Sequence, residues 1–211
     1  MKHPCTRILL PIIVLLITAP LLFSRTSFKP SSRRLIVAKA QSLLGKKVIH
    51  GKNGTVFHYD CSGFIQAVYS YLDISFTDPV ARQTQFQSLN IYKYCKKNGT
   101  VFIGTLPKPG DIIFFDNTYD RNKNNRLDDR ITHVGLVERV QTNHTITFIH
   151  VTTRKGIIRG YINTVKPTVH IADNSIINSF LRARRSGDTA KTRYLAGELV
   201  HAYGSIIDHS Q

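Results

Sequence analysis

The stretch Asp60-Cys61-Ser62-Gly63-Phe64 most constrains this chain, because it sets a thiol directly before an apolar run with helical spacing. Phe64, Ile65, Val68, Tyr71 and Leu72 recur at i, i+1, i+4, i+7 and i+8, which makes one helix face apolar. Asp60 is a favourable N-cap, so Cys61 falls in the first helical turn. Unpaired backbone amides and the positive dipole end favour thiolate there, and thiolate is the nucleophilic form of cysteine. A cysteine packed as a small hydrophobe fits the same pattern, so catalysis also requires a general base. His133, in Thr132-His133-Val134-Gly135-Leu136-Val137, and His150, in Phe148-Ile149-His150, are the candidates. His50, His58, His144 and His201 read as structural or solvated.

Elsewhere helical periodicity comes first and strand patterns follow. Arg33 to Leu44 reads as a helix with Leu35, Ile36, Ala40, Leu43 and Leu44 on its apolar side and Gly45 as its stop. A further helical pattern runs from about Ala81 to Lys97 and ends at Asn98-Gly99. Ile112 to Phe115 reads as a short buried strand. Ile131 to Val140 and Thr145 to Val151 read as two strands joined at Gln141 to His144, and Gly156 to Ile162 as another. Tyr194 to Ile207 is a helix or a last strand on the core. This order predicts an α+β domain in which N-terminal helices pack on a central antiparallel sheet.

Hairpin geometry tests the two histidines. Opposite residues of an antiparallel pair keep a constant index sum, and a two-residue loop at Thr142-Asn143 makes that sum 285. His133 then faces Thr152, and His150 faces Gly135. The histidines share one sheet face as diagonal neighbours, about 7–8 Å apart. An odd-length loop without a bulge would put them on opposite faces. Gly135 leaves room beside His133 for a neighbouring ring or for substrate.

Four segments together carry a resemblance: Asp60-Cys61-Ser62-Gly63-Phe64, Pro109-Gly110-Asp111-Ile112-Ile113-Phe114-Phe115, His133-Val134-Gly135-Leu136-Val137, and Ile149-His150. In this order the chain resembles the NlpC family of papain-like cell-wall cysteine peptidases, which is related to the CHAP amidases. The match spans roughly residues 33 to 155. The resemblance implies a papain-like fold and a Cys-His-polar triad that cleaves amide bonds in peptidoglycan stem peptides. Cys61 would be the nucleophile, His133 the base and His150 the residue that orients it, with backbone N–H groups at the helix start holding the oxyanion. Asp60 and Ser62 flank the nucleophile and could bind the amine or polar edge of substrate. Asp60 also opposes thiolate formation unless its charge is engaged in capping. Family members carry an aromatic Tyr-x-x-Gly-Gly-like stretch before the Asp-Cys-Ser-Gly motif. Here that region is Lys47-Val48-Ile49-His50-Gly51-Lys52, which leaves Tyr59 as the substitute substrate contact. Amidase, transpeptidase or lipid-amide chemistry with the same triad remains open, as does an idle module that grips wall polymer.

Composition narrows the setting. The 211 residues suit one domain with a real core. A net charge of +16 and a pI near 10 imply attraction to polyanions. Lys2 and Arg7 precede the uncharged apolar run Ile8 to Phe23, so residues 1–24 read as a signal peptide or N-terminal membrane anchor. Residues 25–32 then form a basic linker, and 33–211 a peptidase domain with a basic C-terminal extension around Arg182-Ala183-Arg184-Arg185. Export to the periplasm or cell envelope follows, with peptidoglycan or another anionic wall polymer as partner. No nucleic-acid motif is present, and a leader argues against a nucleic-acid partner. Cys5 lies in the leader, Cys61 must stay free to act, and Cys95 is then unpaired, so no disulfide framework is expected.

One loop suggests a cation. Asp120, Asn122, Asn124 and Asp128 place oxygen side chains at positions 1, 3, 5 and 9 of an EF-hand-like spacing. Asn125 replaces the turn glycine, Ile131 replaces the glutamate at position 12, and Arg and Lys are interleaved. A structural calcium site and a plain polar surface loop are the two readings of this segment; the chemistry requires no cofactor.

Overall fold

The computed structural model describes residues 30–76 and 86–207. The expected leader, most of the linker and the stretch 81–85 of the second expected helix lie outside the described residues. Chain order is α1 (Pro30–Ser42), β1 (Ile49–His50), β2 (Val56–Phe57), α2 (Cys61–Tyr69), α3 (Gln87–Asn98), β3 (Thr100–Phe102), β4 (Ile112–Phe115), β5 (His133–Val140), β6 (Thr145–Thr152), β7 (Gly156–Asn163), β8 (Ile171–Ala172), β9 (Ser175–Ile176), α4 (Ala196–Leu199) and β10 (Val200–Ser205). The expected α+β architecture is present. Six strands form one antiparallel sheet in the order β3-β10-β4-β5-β6-β7.

The sheet divides two apolar cores. On one face Ile36 and Ala40 of α1, Phe64, Ile65 and Val68 of α2 and Ile91 and Cys95 of α3 pack on Ile112, Phe114, Val134, Leu136, Ile149 and Val151. On the other, Ile113, Phe115, Val137, Ile146, Phe148 and Ile162 meet Ala196, Leu199 and Tyr203. Burial on both faces explains why β4 is apolar at all four positions. The C-terminal segment is a strand, and it lies inside the sheet between β3 and β4. β10 is therefore part of the core on which the rest depends.

The Pro109-Gly110-Asp111 segment is a structural junction. Asp111 is fully buried. Its carboxylate accepts the Lys108 backbone N–H at 2.7 Å and an Arg33 Nη1–H at 3.0 Å. Arg33 also donates to Pro109 O, Ser205 Oγ and Ile207 O. One guanidinium thus ties α1 to the entry of β4 and the exit of β10. Such a pair tolerates burial because its charges and donors are matched.

The β5–β6 hairpin reaches the expected register by a different route. Its loop is odd: Gln141 N–H donates to Thr145 O and His144 N–H to Gln141 O, with His144 in the left-handed region at φ 64°. Near the loop Val140 faces Ile146 and Arg139 faces Thr147, but Val137 faces Phe148 and Leu136 faces Ile149. Glu138 is the extra residue of a β-bulge, and it restores the register that a two-residue loop would have set. The expectation of an even loop is therefore corrected, while the facing pattern at the histidines holds. Glu138 is pinned from two sides: it accepts from Gln41 Nε2 of α1 at 2.7 Å, and from Arg159 of β7 at 2.7 and 2.8 Å. Those bonds hold its carboxyl below the usual range, with Arg159 the main cause.

No helix among the described residues is long and apolar enough to cross a membrane.

Candidate active site

Asp60 caps α2 as its sequence position implies. Its backbone is extended, its Oδ1 accepts the Gly63 N–H at 2.7 Å, and its carbonyl accepts the Phe64 N–H at 3.0 Å. Cys61 is the first residue of the helix. Gly63 is required by a close backbone crossing: a Cβ there would meet His58 O at 2.1 Å. The Asp-Cys-Ser-Gly motif is thus a cap, a thiol and a crossing point in four residues.

The first two residues of β5 stand beside this turn. The Val134 backbone and the Ser62 hydroxyl and backbone act on the Cys61 thiol in the direction that favours the thiolate. The thiol is pushed up to about 11, chiefly by burial, and the Asp60 charge adds to the rise against those influences. Placement at a helix start was expected to favour the thiolate; here burial outweighs it, because a desolvated charge costs more than one dipole end returns.

His133 and His150 share a face and are bonded. His133 Nε2 lies 2.9 Å from His150 Nδ1, with ring centroids 5.2 Å apart and planes at 82°. Phe115 flanks His133, and Phe148 flanks His150. Gly135 makes room for a ring: a Cβ there would meet Phe148 Cδ2 at 2.8 Å. Burial drives His133 down to about 4 despite the opposing Asp60 charge. His150 is depressed below the ordinary range by burial and by its neighbour His133. Burial thus favours the neutral form at Cys61, His133 and His150 alike.

Tyr59, Asp60, Cys61, Ser62, His133 and His150 line one groove of about 870 Å³. All three expected substrate contacts are in it. Ser62 is buried, and the Tyr59 hydroxyl donates to Lys46 O at 2.7 Å. The remaining wall was not foreseen. Phe86, Thr118, Tyr119, Phe180, Leu181 and Arg185 come from three distant segments. Only the Arg182–Arg185 cluster stands out in the sequence, and there it reads as a basic C-terminal extension.

The loop of Asp120, Asn122, Asn124 and Asp128 satisfies its own oxygens. Asp120 accepts the backbone N–H groups of Asn124 and Asn125, Asn122 Oδ1 accepts Asn124 N–H, and Asp128 accepts the side-chain amides of Asn122 and Asn124. Among the described residues no three His, Cys, Asp or Glu side chains gather as a metal-ligand group. Cys95 is buried and free, far up its titration range through burial and the Asp111 charge.

The model of the NlpC/P60 family matches residues 45–176. The chain belongs to the NlpC/P60 family. That family comprises papain-like hydrolases acting on cell-wall polymers, and the helix-on-sheet architecture is of that kind. A Staphylococcus aureus crystal structure, described as similar to lipoprotein and of the NLP/P60 family, is 25% identical with a TM-score of 0.38. The alignment covers 64% of this chain and 38% of that one. No curated protein matched. The NlpC/P60 match ends before Phe180 and Arg185, so that part of the groove wall lies outside the family region.

Proposed function

We propose that this chain is an exported cysteine peptidase that hydrolyses amide bonds in peptidoglycan stem peptides. The observation that carries the reading is one groove lined by a capped helix-start thiol and a hydrogen-bonded histidine pair. Cys61 is the nucleophile. His133 is the base, and its Nδ1 is the nitrogen left for the thiol because Nε2 is engaged. With Nδ1 unprotonated, Nε2–H donates to His150 Nδ1, so His150 selects the tautomer and fixes the ring. Proton transfer from a neutral thiol to a neutral imidazole occurs as the sulfur attacks the carbonyl. His133 then protonates the leaving amine, and water hydrolyses the thioester. The Cys61 backbone amide at the helix start suits the developing oxyanion. Ser62 and Asp60 are positioned for the polar edge of substrate.

The net charge of +16 favours an anionic wall polymer, and the family assignment supports action at the cell envelope. Digestion of purified peptidoglycan, with mass spectrometry of the fragments, tests the reading. New amines at stem-peptide bonds are expected. Their absence, or their equal appearance with Cys61→Ala, overturns it.

A further inference from the structure

Ile131 is the one β-branched residue among the described residues that lies in the left-handed region, at φ 50°. There its Cβ crowds a carbonyl oxygen, so a β-branched residue keeps this conformation only where its surroundings enforce it. The side chain is 1% exposed and packed in the helix-side core. Ile131 O accepts the Ser88 hydroxyl at 2.7 Å and an Arg121 Nη2–H at 2.6 Å. Ile131 N–H donates to Asp116 Oδ1 at 2.7 Å. Both backbone groups of this strained residue are therefore taken by side chains from elsewhere in the chain.

The strain sits two residues before His133. Asp116 directly follows β4 and Ile131 precedes β5, so their bond closes the neck of the 117–131 excursion, where the β4–β5 ladder ends at Phe115 and His133. Beside it Thr132 N–H donates to Phe115 O at 2.8 Å, and Thr118 N–H to Thr132 Oγ1 at 2.9 Å. Asp116 is itself anchored. Its N–H donates to Leu199 O at 2.9 Å, and its Oδ2 accepts from Arg130 Nη1 at 3.2 Å and lies 2.9 Å from His201 Nδ1. His201 falls at the bulge of β10, where the register shifts between Val200 and Ala202. One carboxylate thus has two tasks: Oδ2 ties it to β10, and Oδ1 sets the direction in which the chain enters β5. A different entry would move the His133 ring, which has to meet both Cys61 and His150.

We propose that Asp116 is a positioning residue: by gripping the Ile131 amide it holds the left-handed turn that sets the His133 ring against Cys61 and His150. This rests on His133 as the base for its turnover test but not for its spectroscopic test. In the full-length protein Asp116→Ala should lower kcat on peptidoglycan fragments by about tenfold with KM unchanged, a fraction of the roughly hundredfold that a 1 Å misplacement costs. Asp116→Asn should regain most of the loss, because its carboxamide oxygen still accepts the Ile131 N–H. Asp116→Ser, too short to span to that amide, should match Asp116→Ala and takes its place if the alanine variant does not fold. Arg130→Gln removes a partner of Oδ2 but leaves the Ile131 bond, and should keep the native kcat. Nitrogen-15 NMR of the histidines in a Cys61→Ser background reads the ring directly. That background should show one His133 tautomer, protonated at Nε2 and bonded to His150. Adding Asp116→Ala should mix the tautomers, and adding Asp116→Asn should keep the single form. Unchanged imidazole signals or unchanged kcat in Asp116→Ala, no recovery in Asp116→Asn, or an equal loss in Arg130→Gln would each overturn the inference. If the native protein cleaves no peptidoglycan, the peptidase reading falls alone, and the imidazole signals still decide this one.

Discussion

The two walls of the groove are built differently. The wall of Asp60, Cys61, His133 and His150 is held by backbone: a helix cap, a strand register and a bulge. The wall of Phe180 and Arg185 is tied by backbone at its Phe180 end, where Leu181 and Arg182 N–H donate to Tyr194 O, and by side chains beyond it, through Arg182 reaching Asn117 and Asp188 gathering Arg185, Tyr194 and Arg182. Backbone constraints position atoms for bond-making, where a misplacement of about 1 Å costs about a hundredfold. Side-chain braces suffice where the task is to hold substrate and no bond is made or broken. The first wall should therefore govern kcat, and the second KM.

The sharpest break of this comparison is removal of the nucleophile or the base. Cys61→Ala and His133→Ala should each lower peptidoglycan hydrolysis by about a hundredfold or more. Circular dichroism and the thermal midpoint at neutral pH should stay near native, because α2 is capped by Asp60 and packed through Phe64, Ile65 and Val68. Undiminished turnover in Cys61→Ala would end the assignment of chemistry to this wall.

Burying two neutral histidines on that wall links its stability to pH. His133 is lowered from 6.5 to about 4 in the folded chain. The unfolded chain binds the proton more readily, so stability is fully present above about pH 6.5 and is lost as pH falls through 4. The drop attributable to His133 is about 3 kcal/mol at 1.36 kcal/mol per unit. His150 shifts in the same direction and adds to it. Urea titrations between pH 7 and 4 should show the decline, and His133→Gln should flatten it. The same protonation removes the base, so turnover should also fall on the acid side near pH 4. A steep decline that persists in a protein lacking both imidazoles would place its origin in other groups.

Most of the first wall was legible because its rules are local. An N-cap, an apolar stripe and a glycine crossing occupy consecutive residues, and four of the main sheet strands follow alternation or apolar runs. Even so, the shared face of His133 and His150 was inferred from an even loop, whereas an odd loop and a bulge at Glu138 produce it. A bulge has no strong local signature. Its anchors, Gln41 and Arg159, are long-range partners that periodicity does not report. The thiolate preference that the cap implies at Cys61 is opposed for a related reason: the cap is local, but burial comes from packing against the core. The second wall was illegible for the same cause in stronger form. Nothing adjacent to Arg182 or Arg185 predicts that one arginine is a buried strut and the other a groove residue.

A smaller effect is expected at the edge of the first wall. His150→Ala leaves the base in place but frees its ring, so the loss should be nearer tenfold than the hundredfold of His133→Ala. His150→Asn should recover part of it, because the amide oxygen falls near the position of Nδ1 and accepts from His133 Nε2–H. Steady-state kinetics on peptidoglycan fragments check the order. Equal collapse in Ala and Asn variants would mean that the imidazole itself takes part in proton transfer.

The smallest effect tests whether the second wall is separable from the first. Asp188 lines no part of the groove, yet its carboxylate holds the Arg185 amide, the Tyr194 hydroxyl and the Arg182 guanidinium. Those contacts hold its carboxyl below the usual range, with the Arg185 amide the largest cause. Asp188→Ala should loosen the turn and raise KM for peptidoglycan fragments by about threefold. kcat should be unchanged, because no bond to α2, His133 or His150 passes through Asp188. Asp173→Ala, in the turn between β8 and β9 and outside the groove lining, serves as the charge-matched control and should change neither constant. A fall in kcat with Asp188→Ala would show that the brace of the recognition wall reaches the chemistry, and the two walls would then have to be treated as one unit.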